Sequence, residues 1–157
     1  MSGRFSRIMG QSGRCGLAGA VLAFALVLGG FGDASAQARS QAEVNAALRA
    51  DAEIYDGLFS MGIAHGIRDN CPSIDARDLR AHALALSLYN RARSLGFSRS
   101  EIRAFLDDRA EKDLLRRVVT EYLTERGVRE GNPETFCAQG RAEIAARSQA
   151  GTLLRAR

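Results

Sequence analysis

Two cysteines, Cys71 and Cys137, lie far apart in the chain, and a covalent link between them would constrain the fold more than any other feature of the sequence. The third, Cys15, lies in an N-terminal segment that we expect to be removed. An even count of two in an oxidising compartment favours a disulfide. The alternatives are a redox pair, which is usually closely spaced as in Cys-x-x-Cys, and a metal site, which would need His65 and His82 as further ligands.

The N-terminal segment has the three parts of a secretory signal. It begins with three arginines and no acid, continues with the apolar residues 16–31, and then has an Ala-x-Ala motif that ends at Ala36. We predict that residues 1–36 are cleaved off between Ala36 and Gln37. A membrane anchor is the rival interpretation, but an apolar run of about sixteen residues is short of the roughly 20 that a spanning helix needs.

The remaining residues, 37–157, suit one domain with one core. The full chain has 22 basic and 18 acidic residues, and removing the three arginines and one aspartate of the signal leaves a net charge of only +2. So weak a positive charge, without an aromatic-interleaved basic stripe, argues against nucleic-acid binding. No further apolar stretch is long enough to span a membrane, so we expect a periplasmic or secreted protein with no integral membrane segment after processing.

Capping signals divide the mature chain into four predicted helices. Ser40 and Glu43 form a capping box that opens the first, which runs towards residue 69 with a break expected at 57–62, where glycines weaken it. The second runs from Ser73 or Asp75 to about Leu95. Since it is apolar on more than one face, it is predicted to be the central helix.

A second capping box, at Ser98 and Glu101, opens a third helix over 99–126, in which a polar stretch predicts either a kink or two halves with different neighbours. Asn132 and Pro133 begin the last helix, in which small residues allow close packing. No run alternates as a strand would. The predicted fold class is all-α, a compact bundle of four helices, or five if the first is broken, with one disulfide.

The search for a site yields no catalytic, cofactor-binding or metal-ligating set, and we assign no cofactor. His82 lies on an apolar helix face, which is typical of a core histidine, although a general base would look the same. His65 has no evident partner. Asp107 and Asp108 are followed by Arg109 and Lys112 at helical contact spacing, which predicts a solvated face.

Three stretches together resemble a family of small secreted alphaproteobacterial proteins classed as a domain of unknown function. They are residues 67–74, residues 95–105 and residues 133–144. The resemblance spans roughly residues 65–155, and the family pattern includes both cysteines, which fall on Cys71 and Cys137. It brings no catalytic residue with it. It implies at most an envelope role near the respiratory chain, without a redox cofactor of its own.

Three hypotheses of function follow. The first is a non-enzymatic periplasmic module that binds or supports an unknown envelope protein or component. The second is a small-ligand carrier or enzyme with a site near His82. The third, implied by the resemblance, is an accessory factor associated with the respiratory chain. We favour the first, because no convergent catalytic set accompanies the predicted disulfide.

Overall fold

The computed structural model describes residues 39–157, so the predicted signal and its cleavage site between Ala36 and Gln37 lie outside the described residues. The prediction of a mostly helical fold is confirmed, but the helix count of four or five is wrong. The described part of the chain has seven helices and two short strands, which are α1 Gln41–Ala50, α2 Ala52–Asn70, β1 Ile74–Ala76, α3 Asp78–Ser94, α4 Arg99–Asp107, α5 Arg109–Glu125, α6 Pro133–Ala146, α7 Gln149–Thr152 and β2 Leu154–Ala156.

The first predicted helix breaks at Asp51 and not at residues 57–62. Ser40 caps α1 in the expected capping box with Glu43. Asp51 then adopts an extended backbone, and its carboxylate accepts a hydrogen bond from the amide of Ile54 at 3.1 Å, which starts α2. The Arg91 guanidinium donates to the same carboxylate and holds the pKa of Asp51 below its usual value. A single aspartate therefore ends one helix and begins the next.

Glycines that were expected to break the helix instead lie inside α2, where they let neighbouring helices approach. A Cβ atom at Gly57 would lie 2.6 Å from a methyl carbon of Leu88 in α3, and one at Gly62 would lie 2.8 Å from Val119 in α5. Helix α2 contacts α1, α3, α5, α6, α7 and β1, and it is the centre of the fold.

The prediction that the second helix is central is wrong. It packs chiefly against α2 and α4, and its outer face carries Leu79 at 88% exposure and Leu86 at 59%. It also begins at Asp78, later than predicted, because residues 74–76 form a strand. A helix with apolar residues on two faces can be central, but its second face is buried only if another element packs against it. The second face of α3 has no such neighbour among the described residues, and the central helix is α2.

Asp108 divides the predicted third helix into α4 and α5. Its backbone is extended, and its carboxylate accepts from the amide of Glu111 at 3.1 Å, so it caps α5 as Asp51 caps α2. Ile102 and Phe105 of α4 pack in a cluster with Val44 of α1. The α5 side chains belong to a different cluster, around α2 and α6. Of the two alternatives left open for this segment, a kink or two halves with different neighbours, the second describes the structure.

The sulfur atoms of Cys71 and Cys137 lie 2.08 Å apart, at disulfide distance, and join positions 66 residues apart. The pair is buried and links the end of α2 to the first turn of α6. Beside it, β1 and β2 form a small antiparallel sheet in which Ile74 lies opposite Ala156. This sheet was not predicted, because three-residue strands are too short to show alternation.

The last predicted helix is also divided. Helix α6 ends at Ala146, after which Arg147 adopts a left-handed backbone with φ of 52°, and Ser148 caps the short α7. Gly140 allows the close packing that was predicted for this segment. A Cβ atom there would lie 2.4 Å from Ile74 Cδ1 and 2.6 Å from Ile67 Cγ2. Helix α6 therefore rests directly on the side chains of α2 and β1.

We expect the Cys71→Ser, Cys137→Ser double variant to lose about 4 kcal/mol of unfolding free energy, because a loop of this length costs that much chain entropy in the reduced unfolded state. Urea denaturation of the two proteins measures the difference. A reducing agent should lower the wild-type value by a similar amount and leave the variant unchanged. Equal stability of wild type with and without reductant would contradict the link.

The glycines of α2 and α6 provide a matched pair of substitutions. Gly140→Ala should reduce the unfolding free energy by about 1–3 kcal/mol, because the added methyl overpacks a rigid site. Gly66→Ala should be neutral or stabilise by up to about 1 kcal/mol, because its Cβ would be 3.5 Å from Leu123 and alanine favours helix. Thermal denaturation compares them, and a Gly140→Ala variant as stable as Gly66→Ala would refute the tight contact.

Candidate functional site

A groove of about 490 Å³ runs between α2 and α5. Apolar side chains form its floor, polar and charged side chains form its rim, and two glycines of α2 form part of its wall. The floor consists of Leu115, Val119, Leu123, Val128 and Phe136; the rim consists of His65, Asn70, Lys112, Arg116, Thr120, Thr124 and Glu130; the glycines are Gly62 and Gly66.

The shape of the groove follows from the packing of α5 on α2. A Cβ atom at Gly62 would collide with Val119, whereas one at Gly66 would make an ordinary contact with Leu123. The packing of α5 on α2 is therefore tighter at Gly62 than at Gly66. The lining residues of α5 extend from Lys112 to Thr124. At 1.5 Å per residue these span roughly 18 Å, so the groove is elongated.

The cationic side chains of the groove come from the first half of α5. Lys112 Nζ lies 3.8 Å from Asp107, and an Arg116 guanidinium nitrogen lies 2.6 Å from Asp113. Neither aspartate lines the groove, and Glu130 is the only carboxylate among its lining residues. Both cations are more than half exposed, so they keep most of their hydration and remain free to bind a further anion.

His65 is exposed at the rim, and both of its ring nitrogens have neighbours. Nε2 lies 3.1 Å from Asp69, one turn further along α2, and Nδ1 lies 3.1 Å from the Arg68 guanidinium. The sequence offered no partner for this histidine, although both partners lie within one helical turn. Because these contacts engage both nitrogens, His65 is poorly placed to act as a base on a molecule in the groove.

The other candidate residues lie elsewhere. The prediction that His82 is a core residue is wrong, because His82 is exposed on the outer face of α3 and lies outside the groove.

Asp107 is exposed as predicted, but Asp108 is half-buried, caps α5 and accepts a hydrogen bond from Asn45 at 3.1 Å. Cys71 and Cys137 are buried as a pair. Among residues 39–157 no three potential metal ligands come together.

A buried carboxylate that sequence reasoning missed links the C-terminal elements. Glu143 is 4% exposed and accepts hydrogen bonds from the Tyr122 hydroxyl at 2.7 Å, from Gln139 at 2.7 Å and from the Ser148 hydroxyl. Burial and the contact with Glu143 raise the pKa of Tyr122. These three neutral donors satisfy the carboxylate and join α5, α6 and the cap of α7, so the cluster is structural. The Gln139–Glu143 spacing of one helical turn was the only local signal.

A family model described as a family of unknown function, DUF5333, matches residues 46–155, which is more than half of the chain. The chain belongs to the DUF5333 family. No curated protein and no solved structure matches it. The match covers α2 to α7 and every lining residue of the groove, so the groove lies within the part of the chain that defines DUF5333 membership.

Membership in DUF5333 brings no activity, and the respiratory-chain role implied by the resemblance stays a prediction. So does the secreted, alphaproteobacterial character of the relatives. Within residues 39–157, no helix combines the length and the apolar character that a membrane-spanning segment requires.

Proposed function

We propose that this DUF5333 protein is an exported, non-enzymatic binding module and that the groove between α2 and α5 is its ligand site. The groove itself is the observation that carries the proposal. Its volume lies within the range of about 300–1,000 Å³ typical of small-molecule sites, and it combines an apolar lining with a few polar groups at its edge. That combination favours binding of an apolar or amphiphilic ligand.

The chemistry of the lining supports binding over catalysis. Its hydroxyl groups are those of Thr120 and Thr124, and its one histidine, His65, is engaged by Asp69 and Arg68. A nucleophile activated by a base requires the two groups within hydrogen-bond reach of each other, and no such contact is found among the lining residues. The alternative hypothesis of a small-ligand carrier is therefore kept, but we place its site in the groove and not near His82.

Export to the periplasm or beyond is the second part of the proposal. It is supported by the signal pattern of residues 1–36 and by a buried cysteine pair at disulfide distance, which suits an oxidising compartment. Mass spectrometry of the protein from an envelope fraction should find chains that begin at Gln37. Chains that retain Met1 and reside in the cytosol would refute this part.

Thr120 provides the test of the groove, because it lines the groove from an exposed position on α5. We expect Thr120→Trp to place an indole over the groove and to weaken binding of the neutral dye Nile red roughly tenfold or more, a loss of about 1.4 kcal/mol. Thr152→Trp is the matched control, since Thr152 is exposed on α7 outside the groove. Fluorescence titration measures both.

The melting temperatures of both variants should stay within a few degrees of wild type, which separates blocked binding from unfolding. Equal affinity of the two variants for Nile red, or no binding by the wild-type protein, would reject the groove as the ligand site.

A further inference from the structure

We propose that the ligand of the groove is a single-chain amphiphile with an anionic head group, whose acyl chain lies on the apolar floor and whose head contacts Lys112 and Arg116. This inference rests on the proposed function, because it names the ligand class of the same site. Its grounds are the shape of the groove, the chemistry of its floor and the placement of its charges.

The dimensions of the groove suit an extended chain. It follows α5 for roughly 18 Å from Lys112 to Thr124, and one acyl chain occupies half of a bilayer core of about 30 Å, or about 15 Å. The groove holds about 490 Å³, a volume that suits a narrow linear ligand of this length.

The floor offers no hydrogen-bonding side chain along this length. Val119, Leu123, Val128 and Phe136 are buried members of the larger core cluster, and Leu115 packs against it. Gly66 has no side chain that would block the groove along its length. A hydrocarbon chain packs on this floor without leaving a polar group unpaired, whereas a sugar or an extended peptide would have to pair its donors and acceptors with rim groups such as Asn70, Thr120 and Thr124.

Charge placement sets the head group and its direction. Lys112 and Arg116 lie one helical turn apart at the start of the α5 wall, and Glu130 lines the groove beyond the other end of α5. An anionic head is therefore attracted to the Lys112 end and repelled from the Glu130 end. Arg116 already contacts Asp113 through one nitrogen, but a guanidinium carries five N–H donors and can also bind a ligand carboxylate.

The experiment compares three probes of the same chain length, each below its micelle concentration. They are dodecanoate, the neutral dodecan-1-ol and the cationic dodecyltrimethylammonium, titrated by calorimetry into the full mature chain. We expect dodecanoate to bind roughly tenfold more tightly than the alcohol, and the cation to bind most weakly. Decanoate should bind more weakly than dodecanoate, by about two- to fourfold for each methylene lost.

Two double variants remove the same number of positive charges. Lys112→Gln with Arg116→Gln should bring dodecanoate to within about twofold of the alcohol, because the attraction to the head group is lost. Arg103→Gln with Arg117→Gln, both exposed and outside the groove, should keep the full preference. Helical content and melting temperature show that each variant is folded.

The outcomes separate the inference from the function on which it rests. If wild type binds the alcohol or the cation as tightly as dodecanoate while Nile red still requires an open groove, the anionic ligand class is wrong and the binding site stands. If the control double variant loses the preference equally, net charge and not the groove rim causes it, and the inference is overturned. If neither Nile red nor any amphiphile binds, both proposals fall.

Discussion

The described structure depends on how closely other elements can approach the backbone of α2. Gly57 admits Leu88 of α3 on one side, and Gly62 admits Val119 of α5 on another. A side chain at either position would force Leu88 or Val119 to move, and the packing of α3 or α5 on α2 would be disturbed. Glycine weakens a helix by itself, but here the contacts with neighbouring helices outweigh that cost. The position of the groove follows from the same arrangement, because the fit loosens at Gly66.

The second constraint is the junction beneath the end of α2. Cys71 and Cys137 place the start of α6 there, and Gly140 lets α6 settle on Ile67 and Ile74. The C-terminal strand then pairs with β1, which fixes both ends of the α6–α7 segment. Phe136, next to Cys137, forms part of the groove floor. The cysteine pair thus helps to position the groove, although neither cysteine lines it.

Sequence reasoning located the two capping boxes but missed several other helix boundaries and the site. The capping boxes at Ser40 and Ser98 were readable because both partners of each box lie within four residues. Asp51 and Asp108 also cap helices, but an isolated aspartate in a polar stretch looks like any solvated residue. The groove could not be predicted, because its walls come from α2 and α5 and its floor from α6 as well. Leu115 and Val119 lie on the same apolar face of a predicted helix. The sequence does not show whether other elements cover that face completely or leave part of it exposed.

By itself, the sequence determined the mostly helical character of residues 39–157, the two capping boxes and the two cysteines that could pair, because each depends on residues close together or on a simple count. Only the tertiary structure decided which helix is central. Helix α3 carries apolar residues on more than one face, yet its Leu79 and Leu86 are exposed, and α2 is the helix that contacts most of the other elements. The physical reason is that a helix face becomes buried only where another element packs against it. Hydrophobic side chains show which faces could be buried, whereas the missing side chains at Gly57, Gly62 and Gly140 decide where other elements can pack closely.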